Sequence, residues 1–168
     1  MQRRSMRPPV GDEGETMSSP FLMGHREPCP YCENFAGRHS PTAGPPSVLF
    51  EDEHLMAYLN PAAHGGMPGH TLVVPKRHVE TLLELTEEEE ARLAHTVAHT
   101  ARVLTKELQP DGILVVQRNG LAAEQTVNHV HFHVVPRRAG VAWPPTEWIE
   151  VTPLEQRQEL AARLSAAW

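Results

Sequence analysis

The sequence predicts an α+β domain, with a mainly antiparallel five-stranded sheet, one long helix and a second helix near the C-terminus. Three observations lead there. Five short segments rich in aliphatic and β-branched residues are bounded by turn-forming clusters. A long amphipathic stretch stands between the third and fourth of them, and a helical pattern follows the fifth. The resulting order, β-β-β-α-β-β-α, belongs to the α+β class.

The elements follow in chain order. Residues 1–24 hold no periodic apolar pattern and are rich in Arg, Pro, Gly, Ser and Met, so they are expected to be a loosely attached leader. A folded domain is expected over 25–140 and a C-terminal extension over 141–168. Residues 36–46 are dense in breakers and read as a loop. Val48–Glu51 and Leu55–Leu59 read as strands joined by the turn Asp52-Glu53-His54. Thr71–Pro75 is the third strand. Thr86 and Glu89 then form the Thr-x-x-Glu spacing of a capping box. The helix they open carries Leu93, Val97, Ala101, Leu104 and Leu108 along one face, and Pro110 follows its end. Its glutamate-rich first turn suits the positive end of the helix dipole. Gly112–Gln117 is the fourth strand and His129–Arg137 the fifth. In the last helix Thr152 is the expected cap, with Pro153 at the first position and Leu160 and Leu164 on one face.

A chain of 168 residues suits a single core that needs no disulfides. The sequence has no apolar run long enough to span a bilayer and no secretory signal, so a soluble cytoplasmic protein without membrane contact is expected. A net charge of −6 argues against a broad phosphate-neutralising surface for nucleic acid. A small anionic ligand can still bind where local donors converge.

The chemistry-bearing stretch is His129-Val130-His131-Phe132-His133. Side chains alternate along a strand, so the three imidazoles share one face while Val130, Phe132 and Val134 enter a core. Imidazole serves as nucleophile, general acid/base or metal ligand near neutral pH. Histidines two apart on a strand are spaced by about 7 Å, so three from one straight strand fit a single ion poorly. A division of labour is expected instead, with the central His131 placed to attack a substrate. The polar loop Asn119–Thr126 leads into this row. Asn119 and Gly120 there offer an amide and backbone N–H groups to anionic oxygens.

The only two cysteines form one close motif, Cys29-Pro30-Tyr31-Cys32. Two chemistries use that spacing. A thiol–disulfide enzyme places it after a buried strand at the start of a helix, whereas here Gly24–Pro28 offers no such strand. A zinc knuckle needs two further nitrogen or sulfur ligands.

These residues resemble the histidine triad (HIT) family. The likeness rests on His-x-His-x-His with apolar residues between, continued by Val135-Pro136-Arg137. It is reinforced by Gly69–His78, Phe50–Glu53 and Asp111-Gly112, together spanning about residues 28–138 in order. The resemblance implies an α+β homodimer that binds purine nucleotides, AMP or GMP conjugates, and breaks or transfers at the α-phosphate. The family's covalently nucleotidylated histidine falls on His131, and His133 would contact the phosphate. Gln125 and Thr126 match the pair that serves phosphate and leaving group, and Asn60 stands where the family holds the ribose hydroxyls. Zinc-containing members complete the cysteine pair with two histidines that fall on His78 and His129, which implies a structural zinc held by Cys29, Cys32, His78 and His129.

Two departures stand out. Glu124 replaces the glycine that many members carry before Gln125, and Arg118 replaces an Asn or Gln near the catalytic histidine. They motivate a second reading, a nucleotide-binding module with little catalysis. A third is a metal-handling protein built on the histidine row and the cysteine pair.

Overall fold

A computed structural model describes residues 28–40, 43–62, 67–141 and 151–168. The expected leader over 1–24 lies outside them. The described chain runs α1 (Pro30–Phe35), β1 (Ser47–Glu51), β2 (Leu55–Leu59), β3 (Thr71–Pro75), α2 (Glu87–Leu108), β4 (Gly112–Gln117), β5 (Phe132–Arg137) and α3 (Leu154–Ser165). The five strands form one antiparallel sheet in the order β1-β2-β3-β5-β4. The expected α+β architecture is the observed one.

Local chemistry accounts for the connections. Asp52 Oδ1 accepts the backbone N–H groups of His54 and Leu55, both at 2.8 Å, which closes the β1–β2 turn. At the start of α2 the Thr86 N–H donates to Glu89 at 2.9 Å and the Glu89 N–H returns to Thr86 Oγ1 at 3.3 Å. The helix ends at Gln109, whose left-handed φ of 48° turns the chain toward Pro110. Gly69, at φ 108°, lies where a Cβ would run into Leu108, so the β2–β3 connection packs directly on the end of α2.

The two faces of the sheet have different work. Leu49, Ala57, Leu59, Val73 and Val134 point to one face, where Leu93, Val97 and Leu104 of α2 and Ala161 and Leu164 of α3 cover them. Met56, Tyr58, Leu72 and Val74 point to the other, against Cys29 and Tyr31. The C-terminal extension is thus part of the main core.

Three differences from the sequence reading are informative. Strand β5 begins at Phe132, so only His133 of the three histidines lies within it. Pairing with β3 stops at Val73–Phe132, and two steps on β3 reaches Pro75, which has no N–H to offer. The preceding segment is held otherwise, with the His129 N–H on Val127 O and the Val130 N–H on Val79 O. In α3, Thr152 is not the cap. The helix starts at Leu154, and the Thr152 N–H instead donates to Pro61 O at 2.9 Å. Finally, α1 and a 3-10 turn at Leu82–Glu84 were not foreseen. The turn is closed by the Thr81 N–H donating to Glu84 at 3.0 Å.

Candidate active site and metal centre

The face of the sheet opposite α2 carries both sites. Cys29 precedes α1 and Cys32 lies in its first turn, His78 follows β3, and His129 precedes β5. Their four ligand atoms lie within 4.8 Å of one another. Cys29 Sγ is 3.4 Å from His129 Nδ1, Cys32 Sγ is 3.3 Å from His78 Nδ1, and Cys32 Sγ is 3.7 Å from His129 Nδ1. Tetrahedral zinc with ordinary Zn–S and Zn–N bonds separates S from N by about 3.6 Å. The donor set therefore fits a closed S₂N₂ metal site. His129 Nε2 faces Pro75 O at 2.8 Å, and a carbonyl only accepts, so Nε2 carries the proton and the Nδ1 lone pair faces the sulfurs. Burial lowers the pKa of His129 to about 4 and keeps it neutral, the form a metal needs.

This cluster takes only the first histidine of the row. His131 is 6% exposed, and its Nδ1 stands 2.7 Å from His129 O. By the same logic Nδ1 holds the proton, which leaves the Nε2 lone pair as a nucleophile. Burial lowers the His131 pKa, with the His129 carbonyl opposing it and the Arg118 charge adding to it, so the imidazole favours its neutral form. His133 Nδ1 lies 2.8 Å from His70 Nε2, and His70 Nδ1 lies 3.3 Å from Ala62 O. Ala62 O accepts from His70, and His70 then accepts from His133. The rings of His131 and His133 are 4.9 Å apart.

A cavity of about 490 Å³ opens beside them, bordered by Tyr31, Tyr58, Asn60, Leu72 and Arg157. The Tyr31 ring is 5.1 Å from that of His131, so the cavity wall reaches the nucleophile. Asn60 sits at its rim, with Oδ1 accepting the Ala62 N–H at 3.0 Å.

The loop before the triad is differently arranged than its sequence implied. Gln125 is 4% exposed and committed to the backbone: Oε1 accepts the Gly120 N–H at 2.6 Å, and Nε2 donates to Glu80 O at 2.7 Å and Val127 O at 3.0 Å. Asn119 Oδ1 accepts the Leu82 N–H at 2.8 Å, while its amide exchanges bonds with Gln117. The Gly120 N–H is consequently spent within the loop, where the residue adopts φ 85°. These three residues brace the loop, and the hydroxyl-bearing Thr126 remains exposed. Arg118 and Glu124, the two departures, stand 3.7 Å apart. Arg118 follows the last β4–β5 pair, Gln117–Phe132, one step from the level of His131.

Two contributors escaped the sequence reading as site residues. Tyr31 was hidden inside the cysteine motif, and Arg157 lies in a helix remote in sequence. His70, a histidine just before a strand, is read from sequence either as a pocket-lining residue or as a turn or cap residue. His95 and His99 stack on α2 at 6.4 Å but join no metal-binding group among the described residues.

Comparison with known proteins fits this geometry. The chain is 45% identical over 96 residues to an uncharacterized HIT-like protein of Methanocaldococcus jannaschii, covering 57% of this chain and 72% of that one. It is 40% identical over 81 residues to an adenosine 5'-monophosphoramidase of Schizosaccharomyces pombe, covering 45% of this chain and 58% of that one. A zinc-bound histidine triad family protein from Mycobacterium smegmatis superposes with a TM-score of 0.66 at 32% identity, over 83% of this chain and 92% of that one. The HIT domain itself matches residues 42–140, more than half of the sequence, and the chain belongs to the HIT family.

Proposed function

We propose that the protein is a nucleotidyl hydrolase or transferase that cleaves purine nucleotide conjugates at the α-phosphate through a covalent intermediate on His131. The observation that carries this reading is the buried His131, held by the His129 carbonyl with Nε2 unprotonated, beside a cavity of nucleoside size. Nε2 attacks the α-phosphorus, the bond to the leaving group breaks with its electron pair, and a phosphoramidate forms. Water then attacks phosphorus, the P–N bond breaks, and the mononucleotide leaves. His133, its Nδ1 proton held by His70, would donate to the phosphoryl oxygens from Nε2 as an imidazolium, joined by the Thr126 hydroxyl. Gln125, Asn119 and Gly120 act by holding the loop, and Asn60 meets the ribose. Phosphoramidates and dinucleoside polyphosphates are the candidate substrates.

In this reading Cys29, Cys32, His78 and His129 hold a structural zinc, since four protein ligands leave no open position. The zinc would fix the segment that carries His131. A reducing cytoplasm suits a cysteine pair that serves as metal ligands rather than as a disulfide. No helix among the described residues is long and apolar enough to cross a membrane.

The proposed assembly is a homodimer. Strand β4 is a sheet edge, and Val115 on it is 44% exposed. It borders an apolar hollow with Leu82, Ala94, Ala98 and Phe132. A second copy pairing along β4 would satisfy the edge and cover the hollow with the same surface.

Mass spectrometry of the protein with AMP and GMP phosphoramidates and with dinucleoside polyphosphates tests the mechanism. A nucleotidyl adduct on His131 is the expected result. Mononucleotide binding with neither adduct nor turnover would instead favour the binding-module reading, which the Arg118–Glu124 pair near His131 motivates.

A further inference from the structure

The cavity beside His131 is bordered at one side by a charge that the catalytic reading does not use. Arg157 of α3 is 3% exposed and has no carboxylate partner among the described residues. Its Nε donates to Thr152 O at 3.0 Å and its Nη2 donates to Ala43 O. These two bonds occupy one fork of the guanidinium, which has five N–H donors in all. Nη1 has no acceptor among the described residues and is not among the buried polar atoms left without a partner. It is therefore reachable, and the cavity is the space that Arg157 borders. A buried cation with no carboxylate paired to it favours an electron-rich guest.

The same cavity is lined by Glu33. Its carboxylate receives Arg38 at 2.6 and 2.7 Å, which leaves acceptor capacity over, since a carboxylate has about four lone-pair sites. One cavity thus offers strong donors from Arg157 and a strong acceptor from Glu33. Guanine matches that polarity. Its O6 and N7 are adjacent acceptors suited to the Nη1–Nη2 end of an arginine, and its N1–H and 2-amino group are donors suited to a carboxylate. Adenine places an amino donor beside N7 and has no N1–H.

We propose that Arg157 and Glu33 make this cavity selective for guanine over adenine, so that the preferred conjugates are those of GMP. The inference rests on the nucleoside occupying this cavity, as the catalytic reading requires. Arg157 belongs to a helix outside the matched HIT domain, so the selectivity is a property of this chain's own extension.

Calorimetric titration of the full zinc-loaded chain with GMP and with AMP tests it. Wild type is expected to bind GMP about tenfold more tightly than AMP, the discrimination a single bidentate arginine contact supports. Arg157→Met, which keeps the apolar stem, should bring the ratio close to one by weakening GMP alone. Glu33→Gln should lower the ratio as well. Equal affinities in wild type would overturn the proposal, as would failure of both nucleotides to bind. So would an equal loss for both bases in Arg157→Met, the signature of a purely structural staple. If Arg157→Met does not fold, the wild-type ratio and Glu33→Gln decide. A His131 adduct from both AMP and GMP conjugates without base preference would sink this proposal alone. Preferential GMP binding without any adduct would sink the catalytic reading alone.

Discussion

The carbonyl oxygen of His129 accepts the His131 Nδ1 proton at 2.7 Å, so the backbone of a metal-site residue orients the proposed nucleophile. The two histidines are neighbours on one short extended segment with different tasks. Replacing His131 with alanine should abolish the adduct and lower turnover by about 10⁴-fold or more, as loss of a nucleophile does. Bound zinc, about one per chain, should persist in that variant by elemental analysis. Full activity in His131→Ala would remove the mechanism, and several exchangeable metals lost with His131 would revive the metal-handling reading.

Cys32→Ser removes one of the four proposed metal ligands without touching a residue that lines the cavity. The variant should lose zinc and melt lower by roughly 5–15 °C, since a structural zinc contributes directly to folding. Turnover should fall less than in His131→Ala, because the nucleophile remains but its segment loosens. Unchanged melting with zinc absent would show that the cluster does not support the fold.

His70 anchors His133 through a 2.8 Å ring-to-ring contact and is itself 1% exposed. His70→Ala should lower kcat by about tenfold with KM nearly unchanged, because a misplaced donor costs transition-state stabilisation more than ground-state binding. His70→Gln, which keeps an acceptor, should recover part of the loss. A change confined to KM would contradict this role.

Glu89 joins the cap of α2 to Arg77, next to the proposed ligand His78, with Arg77 Nε and Nη2 both 2.6 Å from its oxygens. The Arg77 hydrogen bonds, with help from the Thr86 backbone, lower its pKa to about 2. A depressed carboxylate stabilises the fold above its unfolded pKa and loses that contribution as pH falls toward the folded value. Glu89→Gln should therefore cost about 1 kcal/mol near pH 7 after allowance for solvent screening of a partly exposed pair. The difference from wild type should shrink from pH 5 toward pH 2, about the range between unfolded and folded pKa values. A pH-independent gap in denaturation midpoints would contradict this account.

The proposed dimer has an equally direct check. Val115→Arg places a charge on the exposed edge of β4 without touching the catalytic face. Light scattering should show a dimer for wild type and a monomer for the variant at micromolar concentration. A monomeric wild type would refute the assembly.

Much of the fold was legible because its signals are local. The Thr86–Glu89 box, the Asp52 turn and the apolar runs of β2 and β3 each depend on a few adjacent residues. The limits of β5 were not legible, because they depend on Pro75 in a strand more than fifty positions away. The metal cluster was reached through resemblance, and the structure brings its four residues together. The loop before the triad went otherwise. Asn119 and Gln125 look like ligand-binding groups in sequence, yet their partners at Leu82 and Glu80 are distant backbone atoms that no spacing rule announces. Arg157 was illegible for the same reason, since only folding carries α3 to the cavity.

Cys29 and His129 meet at 3.4 Å although 100 positions of chain separate them. A closure of that span costs more loop entropy than the local helices and hairpins do. During synthesis, the loop cannot close until nearly the whole sheet has left the ribosome. A nascent chain therefore has cysteines and a capped helix long before it has an oriented nucleophile. On the proposed mechanism, the clasp makes the orientation of His131 a property of the finished fold.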